Sequence, residues 1–306
     1  MKTTHRSYSE VSGDFRRLCR FVTTHMSYFR THSTWCLGRF VDWKYGLYEN
    51  KTARPGFCER NAEVWFDAFD EVAGFAISES GDAGLAILLA PGYRFLFGEL
   101  LEWSLTNWAE RGPRFTVEVT ERQAPEMATL ERYGFHRGAA FYTQRFDLAR
   151  EPVRRFPLEP GFVIVDMRSH GDYRGQRILR DNAFIGITPT EEVLQRHMAF
   201  YNHSQAGPIY HGDTDLCVMA PDGQLVAGCE ALIDAANVEA DIERVCTHSD
   251  FRRRGFARAV TQECLNRLRA YGLRNAYITG YDPEAIALYR SLDAAEERQS
   301  FVYERA

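Results

Sequence analysis

Neither a long hydrophobic run nor a heavy charge of one sign marks this 306-residue chain. Its longest apolar stretch, Leu85 to Pro91, falls far short of the roughly 20 residues that a membrane-spanning helix needs. The opening MKTTHRSYSE has no apolar core, so no signal peptide is expected. A net charge of −5 gives no broad electrostatic reason to hold nucleic acid. The seven cysteines (Cys19, Cys36, Cys58, Cys217, Cys229, Cys246, Cys264) form no CxxC pair and no metal-ligand spacing. An odd, scattered set suits a reducing compartment better than a disulfide framework. His197, His203 and His211 likewise lack ligand spacing, so no metal is expected. These absences point to a cytoplasmic protein with neither a membrane nor a nucleic-acid partner.

What is present is ordinary globular composition, 45% hydrophobic and 26% charged, in a chain long enough for two domains. The informative stretch runs from Val238 to Tyr271. Val238, Ala240 and Ile242 alternate with Glu239, Asp241 and Glu243, the period of a half-buried strand. Val245 comes three positions after Ile242, a phase break of the kind a bulge makes. Arg252, Arg253 and Arg254 precede Gly255, and Phe256, Val260, Cys264 and Leu268 then recur every four residues as the apolar stripe of a helix. A strand therefore feeds through a basic loop into a helix N-terminus, where free N–H groups and the helix dipole favour an anion such as pyrophosphate. Gly255, lacking a Cβ, would let a ligand oxygen approach the backbone.

The spacing Arg252-x-x-Gly255-x-Ala257 after a strand resembles the acyl-CoA loop of the GNAT superfamily of N-acetyltransferases. Downstream, Asp282-x-x-Ala285-x-x-Leu288-Tyr289 is similar to the segment Asn-x-x-Ala-x-x-Leu-Tyr of that superfamily, with Asp282 standing where its Asn does. The resemblance implies an enzyme that moves the acetyl group of acetyl-CoA to an amine, an acyltransferase of groups other than aminoacyl groups, with no metal. By match, Val245, Cys246, Thr247, Arg252, Arg253, Arg254, Gly255, Phe256, Ala257, Arg258, Asp282 and Ala285 would bind the cofactor. Tyr289 would protonate the CoA thiolate, since a phenol is protonated at neutral pH. For the base, Asp241 and Glu243 lie on the acidic strand face with Glu239 behind them. Glu243 is favoured as nearer the thioester, and Glu230 on the preceding strand is an outside candidate. The three acids could instead pair with Arg244 and Arg253. Cys246, followed two residues on by His248, reads as a small buried residue rather than a nucleophile.

An earlier stretch repeats the order. Gly84–Ala90 reads as a strand, Tyr93–Trp103 as a turn with Arg94 and then a helix, Phe115–Thr120 as a strand and Pro125–Tyr133 as a helix. From Arg94 to Leu130 is 130 − 94 = 36 positions, and from Arg252 to Tyr289 is 289 − 252 = 37. This is an internal repeat whose first copy has lost its chemistry. Phe97 or an offset Gly98 stands for Gly255, Leu130 stands for Tyr289, and Glu99 places a carboxylate at the helix start. The expected fold is thus α/β (α+β): two tandem GNAT-like domains, each a mixed, mostly antiparallel twisted sheet flanked by helices. Boundaries fall at 1–150 for the degenerate copy, 151–160 for a proline-rich linker and 161–306 for the catalytic copy. Two helices are expected in 14–50, where Tyr28, Phe29, Trp35, Phe40, Trp43, Tyr45, Leu47 and Tyr48 read as core and cleft lining.

In the second copy, Phe162–Asp166 reads as the first strand. Helices follow at Asp172–Phe184 and Glu191–Tyr201, then a hairpin of Leu216–Ala220 and Gln224–Ile233 about Pro221-Asp222-Gly223. Asn275–Thr279 is the next strand, Asp282 caps a helix that starts at Pro283, and Phe301–Glu304 closes the sheet. A monomer or homodimer acting on a small, cationic primary amine in a ternary complex is the expected function. A tandem pair with an inactive first half also resembles mycothiol synthase. A non-catalytic acyl-CoA-binding or regulatory protein is the expectation from a different class.

Overall fold

A computed structural model describes residues 2–29, 33–45, 54–150, 152 and 154–306, with backbone alone for 200–204. Leu47, Tyr48, linker residues 151 and 153 and the His203 side chain lie outside the described residues. The elements in chain order are β1 (Thr4–Ser7), α1 (Asp14–Phe29), α2 (Leu37–Tyr45), α3 (Phe57–Asn61), β2 (Ala62–Phe66), β3 (Val72–Ser78) and β4 (Gly84–Leu89). A 3-10 turn over Pro91–Leu96 leads to α4 (Phe97–Asn107), β5 (Phe115–Thr120), α5 (Ala124–Arg132) and β6 (His136–Asp147). Then come β7 (Val163–Asp166), α6 (Met167–His170), α7 (Tyr173–Ile185), α8 (Glu191–Gln205), β8 (Tyr210–Met219), β9 (Leu225–Asp234) and β10 (Glu239–Thr247). The chain continues through α9 (Phe256–Ala270), β11 (Asn275–Gly280) and α10 (Pro283–Arg290) to β12 (Glu296–Arg305).

Two compact units form, and they do not follow chain order. One comprises Met1–Tyr142 together with Arg298–Ala306; the other is Thr143–Glu297. The expected division at 151–160 differs because each repeat closes the sheet of the other unit. In the first unit, Ser300–Arg305 of β12 pairs antiparallel with Thr120–Phe115 of β5. Period-two alternation then sends Phe301 and Tyr303 into that unit's core beside Trp65, Val117 and Leu130. In the second unit, Thr143–Asp147 of β6 lies beside β11. Thr143 Oγ1 is 2.9 Å from Thr279 Oγ1, and Arg145 Nη1 donates to Asn275 Oδ1 at 3.0 Å. Phe146 and Leu148 enter the second unit's core. The expected closing strand therefore exists, but it completes the other copy.

Within each unit the sheet is mixed and mostly antiparallel. β1 to β4 form an antiparallel run, and β4 then pairs parallel with β5. The second unit repeats this: β7 to β10 antiparallel, then β10 parallel to β11. Of the early aromatic residues, Trp35, Phe40 and Trp43 are essentially fully buried, Phe29 and Tyr45 are half-buried, and Tyr28 is exposed. The apolar stripe of α9 (Phe256, Val260, Cys264 and Leu268) is buried against Val226, Ala227, Cys229 and Ile242 of the second sheet. Burial of that stripe fixes which way the first turn of α9 points. Among the described residues, no helix is long and apolar enough to cross a membrane.

Candidate active site

Strands β10 and β11 pair for only three residues, Glu239 with Asn275, Ala240 with Ala276 and Asp241 with Tyr277. Both strands run on, β10 to Thr247 and β11 to Gly280, without further pairing between them. Beyond Asp241, the β11-facing edge of β10 therefore leaves the ladder with β11. On its other edge, β10 pairs with β9 through a bulge: Glu243 faces Glu230 and Cys246 faces Gly228, so Arg244 and Val245 together oppose Cys229. Arg244 takes up the extra residue in the left-handed region at φ 53°. The bulge lies slightly later than the phase break Ile242–Val245 read from the sequence, because the burial pattern shifts only after Glu243.

The three acids of β10 have different surroundings. Glu239 Oε1 accepts from Asn275 Nδ2 (2.9 Å) and from the Tyr277 hydroxyl (3.1 Å), so it is tied to β11. Asp241 is buried, whereas Glu243 is only half-buried and lies at the bulge. Arg244 reaches Glu230 of β9, with Nη1 2.9 Å from Oε2. Arg180 of α7 reaches the same Glu230 oxygen at 3.1 Å and Asp215 Oδ1 at 3.1 Å. Glu230 is thus shared by two guanidinium groups and is a poor candidate for a free base. Asp215 also accepts from Gln176 Nε2 (2.6 Å) and the Tyr210 hydroxyl (3.0 Å). Complete burial pushes its carboxyl up to about 7, opposed by the Arg180 charge. Members of this polar cluster lie on α7, β8, β9 and β10 with no common spacing, so no local pattern of residues signals it.

Tyr289 is 6% exposed, and its ring lies against Gly280, where an added Cβ would come within 3.1 Å of Cδ2. Burial, then the charges of Glu243 and Asp282, push its phenol well above the ordinary value of 10. Among the described residues its hydroxyl has no hydrogen-bond partner. Cys246 packs in a small cluster with Met167, Leu179 and Cys217, and burial raises its thiol to about 11. His248 Nδ1 accepts from the Asp250 N–H at 3.3 Å, which caps the turn Ser249–Phe251, so the imidazole serves that turn rather than the thiol. No group of three His, Cys, Asp or Glu side chains among the described residues could hold a metal ion.

Beyond the turn, Gly255 is the N-cap of α9 in the left-handed conformation, φ 80°, which favours glycine. Arg253 shares that conformation at φ 64°. The open side of Gly255 does not face free space, as the sequence reading supposed: a Cβ there would lie 2.3 Å from the ring of Phe156. The three arginines also separate. Arg252 Nη2 donates to the Ala183 carbonyl (3.2 Å), and Arg254 makes a two-pronged ion pair with Glu159, Nε to Oε1 at 2.8 Å and Nη2 to Oε2. Arg253 is left exposed. Arg258 Nη2 donates to the Ser291 carbonyl at 3.0 Å. Phe256 is buried, so only its backbone N–H can meet a ligand, and Ala257 is the next free N–H of the first turn. Asp282 caps α10 by accepting from the Ala285 N–H at 2.8 Å, which commits one of its oxygens.

The second unit thus combines strands that part after Asp241, a bulge in β10, and a helix start whose first-turn N–H groups lack intrahelical partners. Residues 185–293 match the model of the Acetyltransferase (GNAT) family. Those residues of the second unit belong to the GNAT acetyltransferase family. Enzymes of this family take an acyl-CoA and acetylate amines. The fold of the whole chain is similar to a GCN5-related N-acetyltransferase from Sphaerobacter thermophilus, at 17% identity and TM-score 0.67, over 99% of this chain and 95% of that one. It is equally similar to a tandem GNAT protein from the clavulanic acid biosynthesis pathway, at 12% identity and TM-score 0.67, over 99% and 98% of the two chains. A GNAT-family acetyltransferase from Colwellia psychrerythraea matches over the full length of both chains, with 13% identity and TM-score 0.57. No curated protein matches the chain's sequence.

The first GNAT-like unit retains the outline. Pairing of β4 with β5 covers only Gly84 with Thr116 and Leu85 with Val117, so these strands part as β10 and β11 do. A cavity of about 430 Å³ lies between the starts of α4 and α5, lined by Arg94, Phe95, Phe97, Gly98, Pro125, Glu126, Thr129 and Arg132. Here the basic side chain already has its anion: Arg94 Nε and Nη2 donate to Glu126 Oε1 and Oε2 at 2.9 and 2.7 Å. Glu99, the acid the sequence pointed to, accepts from Trp65 Nε1 instead. Leu130, at the position of Tyr289, is fully buried.

Proposed function

We propose that the second unit transfers the acetyl group of acetyl-CoA to a primary amine of a small, cationic molecule by direct attack in a ternary complex, and that the first unit has no catalytic part. The observation that carries this reading is the parting of β10 from β11 after Asp241, with Glu243 and Tyr289 at the opening. Acetyl-CoA supplies an activated acyl group whose leaving thiolate must be protonated. In this reading the backbone N–H groups of Val245, Cys246 and Thr247, at or after the bulge, polarise the thioester carbonyl. Free N–H groups at the start of α9, with exposed Arg253, are suited to the pyrophosphate.

Glu243 is the base in this scheme. It accepts a proton from the incoming ammonium, directly or through a water, and its charge favours a cationic acceptor. Asp241 is buried and Glu239 is hydrogen-bonded to β11, so neither is as open to an acceptor. Tyr289 is the acid: a raised pKa keeps its proton in place across neutral pH, and its unpartnered hydroxyl has one to give. Asp282 and Ala285 flank the opening at the start of α10. Titration calorimetry with acetyl-CoA, combined with detection of free CoA over a panel of amines, tests the reading. Binding of acetyl-CoA with CoA release on at least one cationic amine is expected. Binding without release over the panel favours a non-catalytic sensor, and no binding refutes the reading.

A further inference from the structure

We infer that residues 155–159, which the sequence presents as a linker, are positioning residues for the cofactor loop: Phe156 and Glu159 hold the loop Arg253–Gly255 in the shape that binds the pyrophosphate. The inference rests on the acetyl-CoA reading of that loop. It begins from a conformational oddity. Two residues of three, Arg253 and Gly255, are left-handed, and Arg253 is not a glycine. A left-handed residue with a Cβ is strained, and it persists only where its surroundings over-determine it. The ligand cannot supply that determination before it has bound.

The surroundings come from the linker. Arg254, between the two left-handed residues, is gripped by the Glu159 carboxylate on one side. On the other, its guanidinium lies 4.9 Å from the centroids of the Phe162 and Phe256 rings and 5.2 Å from that of Phe251. Such stacked, bidentate contacts fix a guanidinium in orientation as well as place. The Phe156 ring fills the space where a Cβ of residue 255 would stand. That ring is itself held, because the Phe156 N–H donates to Oε1 of buried Gln262 in the second turn of α9 at 2.7 Å. Gly255 is therefore required twice, by its φ and by the ring beside it.

Both side chains lie outside the motif that marks the loop, and neither is assigned a contact with acetyl-CoA. They act through Arg254 and Gly255, so removing them should loosen the cofactor's grip while leaving the acyl-transfer geometry at Glu243 and Tyr289 intact. The experiment measures the Kd for CoA by calorimetry, with KM for acetyl-CoA and kcat, for the full-length protein and for Glu159→Gln, Phe156→Ala and Phe156→Leu. Glu159 is exposed, so its substitution leaves the fold standing even if Phe156→Ala lowers the melting temperature. Expected are roughly tenfold rises in Kd and KM for Glu159→Gln and Phe156→Ala, kcat within about twofold, and partial recovery in Phe156→Leu. Gly255→Ala should lose binding, and Phe156→Ala added to it should restore part. Unchanged Kd in Glu159→Gln and Phe156→Ala, or a fall in kcat at unchanged KM, overturns the inference alone. A wild-type protein that binds no CoA overturns the acetyl-CoA reading and this inference together.

Discussion

Glu243 and Tyr289 share one electrostatic environment: after burial, the Glu243 charge is the strongest influence keeping the proton on the Tyr289 phenol. The proposed base and acid are therefore not independent. With its pKa raised above the ordinary value of 10, Tyr289 stays protonated through neutral pH, and loss of its proton contributes no alkaline limb until well above pH 10. Glu243→Gln removes the repulsion between carboxylate and phenolate, so the Tyr289 pKa should move down toward 10. The pH profile of kcat/KM should then lose its acid-side limb and gain an earlier alkaline one. Tyr289→Phe should lower kcat by about 10²–10³ with little change in acetyl-CoA affinity, a factor typical of a lost general acid.

Cys246 should be inert. Its thiol is buried and pushed up to about 11, so almost none is thiolate at pH 8. Mass spectrometry after iodoacetamide treatment of the folded protein should find Cys246 unmodified, whereas the same treatment in denaturant labels it. Rapid labelling in the folded state would reopen a covalent acyl-cysteine route.

Asp215 makes stability depend on pH. Its carboxyl is raised from an ordinary 3.8 to about 7, so the folded state holds a proton that the unfolded state releases more readily. The associated stability is fully present below about pH 4 and is lost as pH rises through about 7. Asp215→Asn should flatten that part of the stability profile measured by denaturant titration. Arg180→Met leaves buried Asp215 with only the neutral partners Gln176 and Tyr210, while Glu230 keeps Arg244. It should cost about 3–5 kcal/mol at pH 8 and less near pH 5, where Asp215 can take up its proton.

The first unit should bind no second cofactor. Glu126 fills the anion position on Arg94, so calorimetry should give one CoA per chain. Two sites per chain would show that the first unit kept a function.

Much of this was legible in the residues because the relevant signals are local. The α9 stripe, the Asp282 cap and the Pro221–Gly223 turn each depend on neighbours a few positions apart, and each formed where the spacing put it. The bulge was legible as a phase break, although its position moved by about one residue. Partners distant in the chain left no such trace. Nothing near Arg254 announces Glu159, nothing near Arg180 announces Asp215 and Glu230, and nothing near Arg94 announces Glu126. The strand pairing of β12 was hidden for the same reason: its alternation says which face is buried, but not in which core.

That exchange of closing strands sets a timetable for synthesis. The first unit is made up to Tyr142 and must then wait for Arg298–Ala306, which emerges only after all of residues 143–297. At ordinary rates of translation the delay is on the order of ten seconds or more. During it, β5 presents an open edge with Val117 and Val119 inadequately covered, a template to which another chain's strand could add. The second unit has no such wait, because its borrowed strand is already out of the ribosome when β11 arrives. The first unit is thus the one exposed longest to misassembly, and chaperone dependence during expression should track it rather than the second unit.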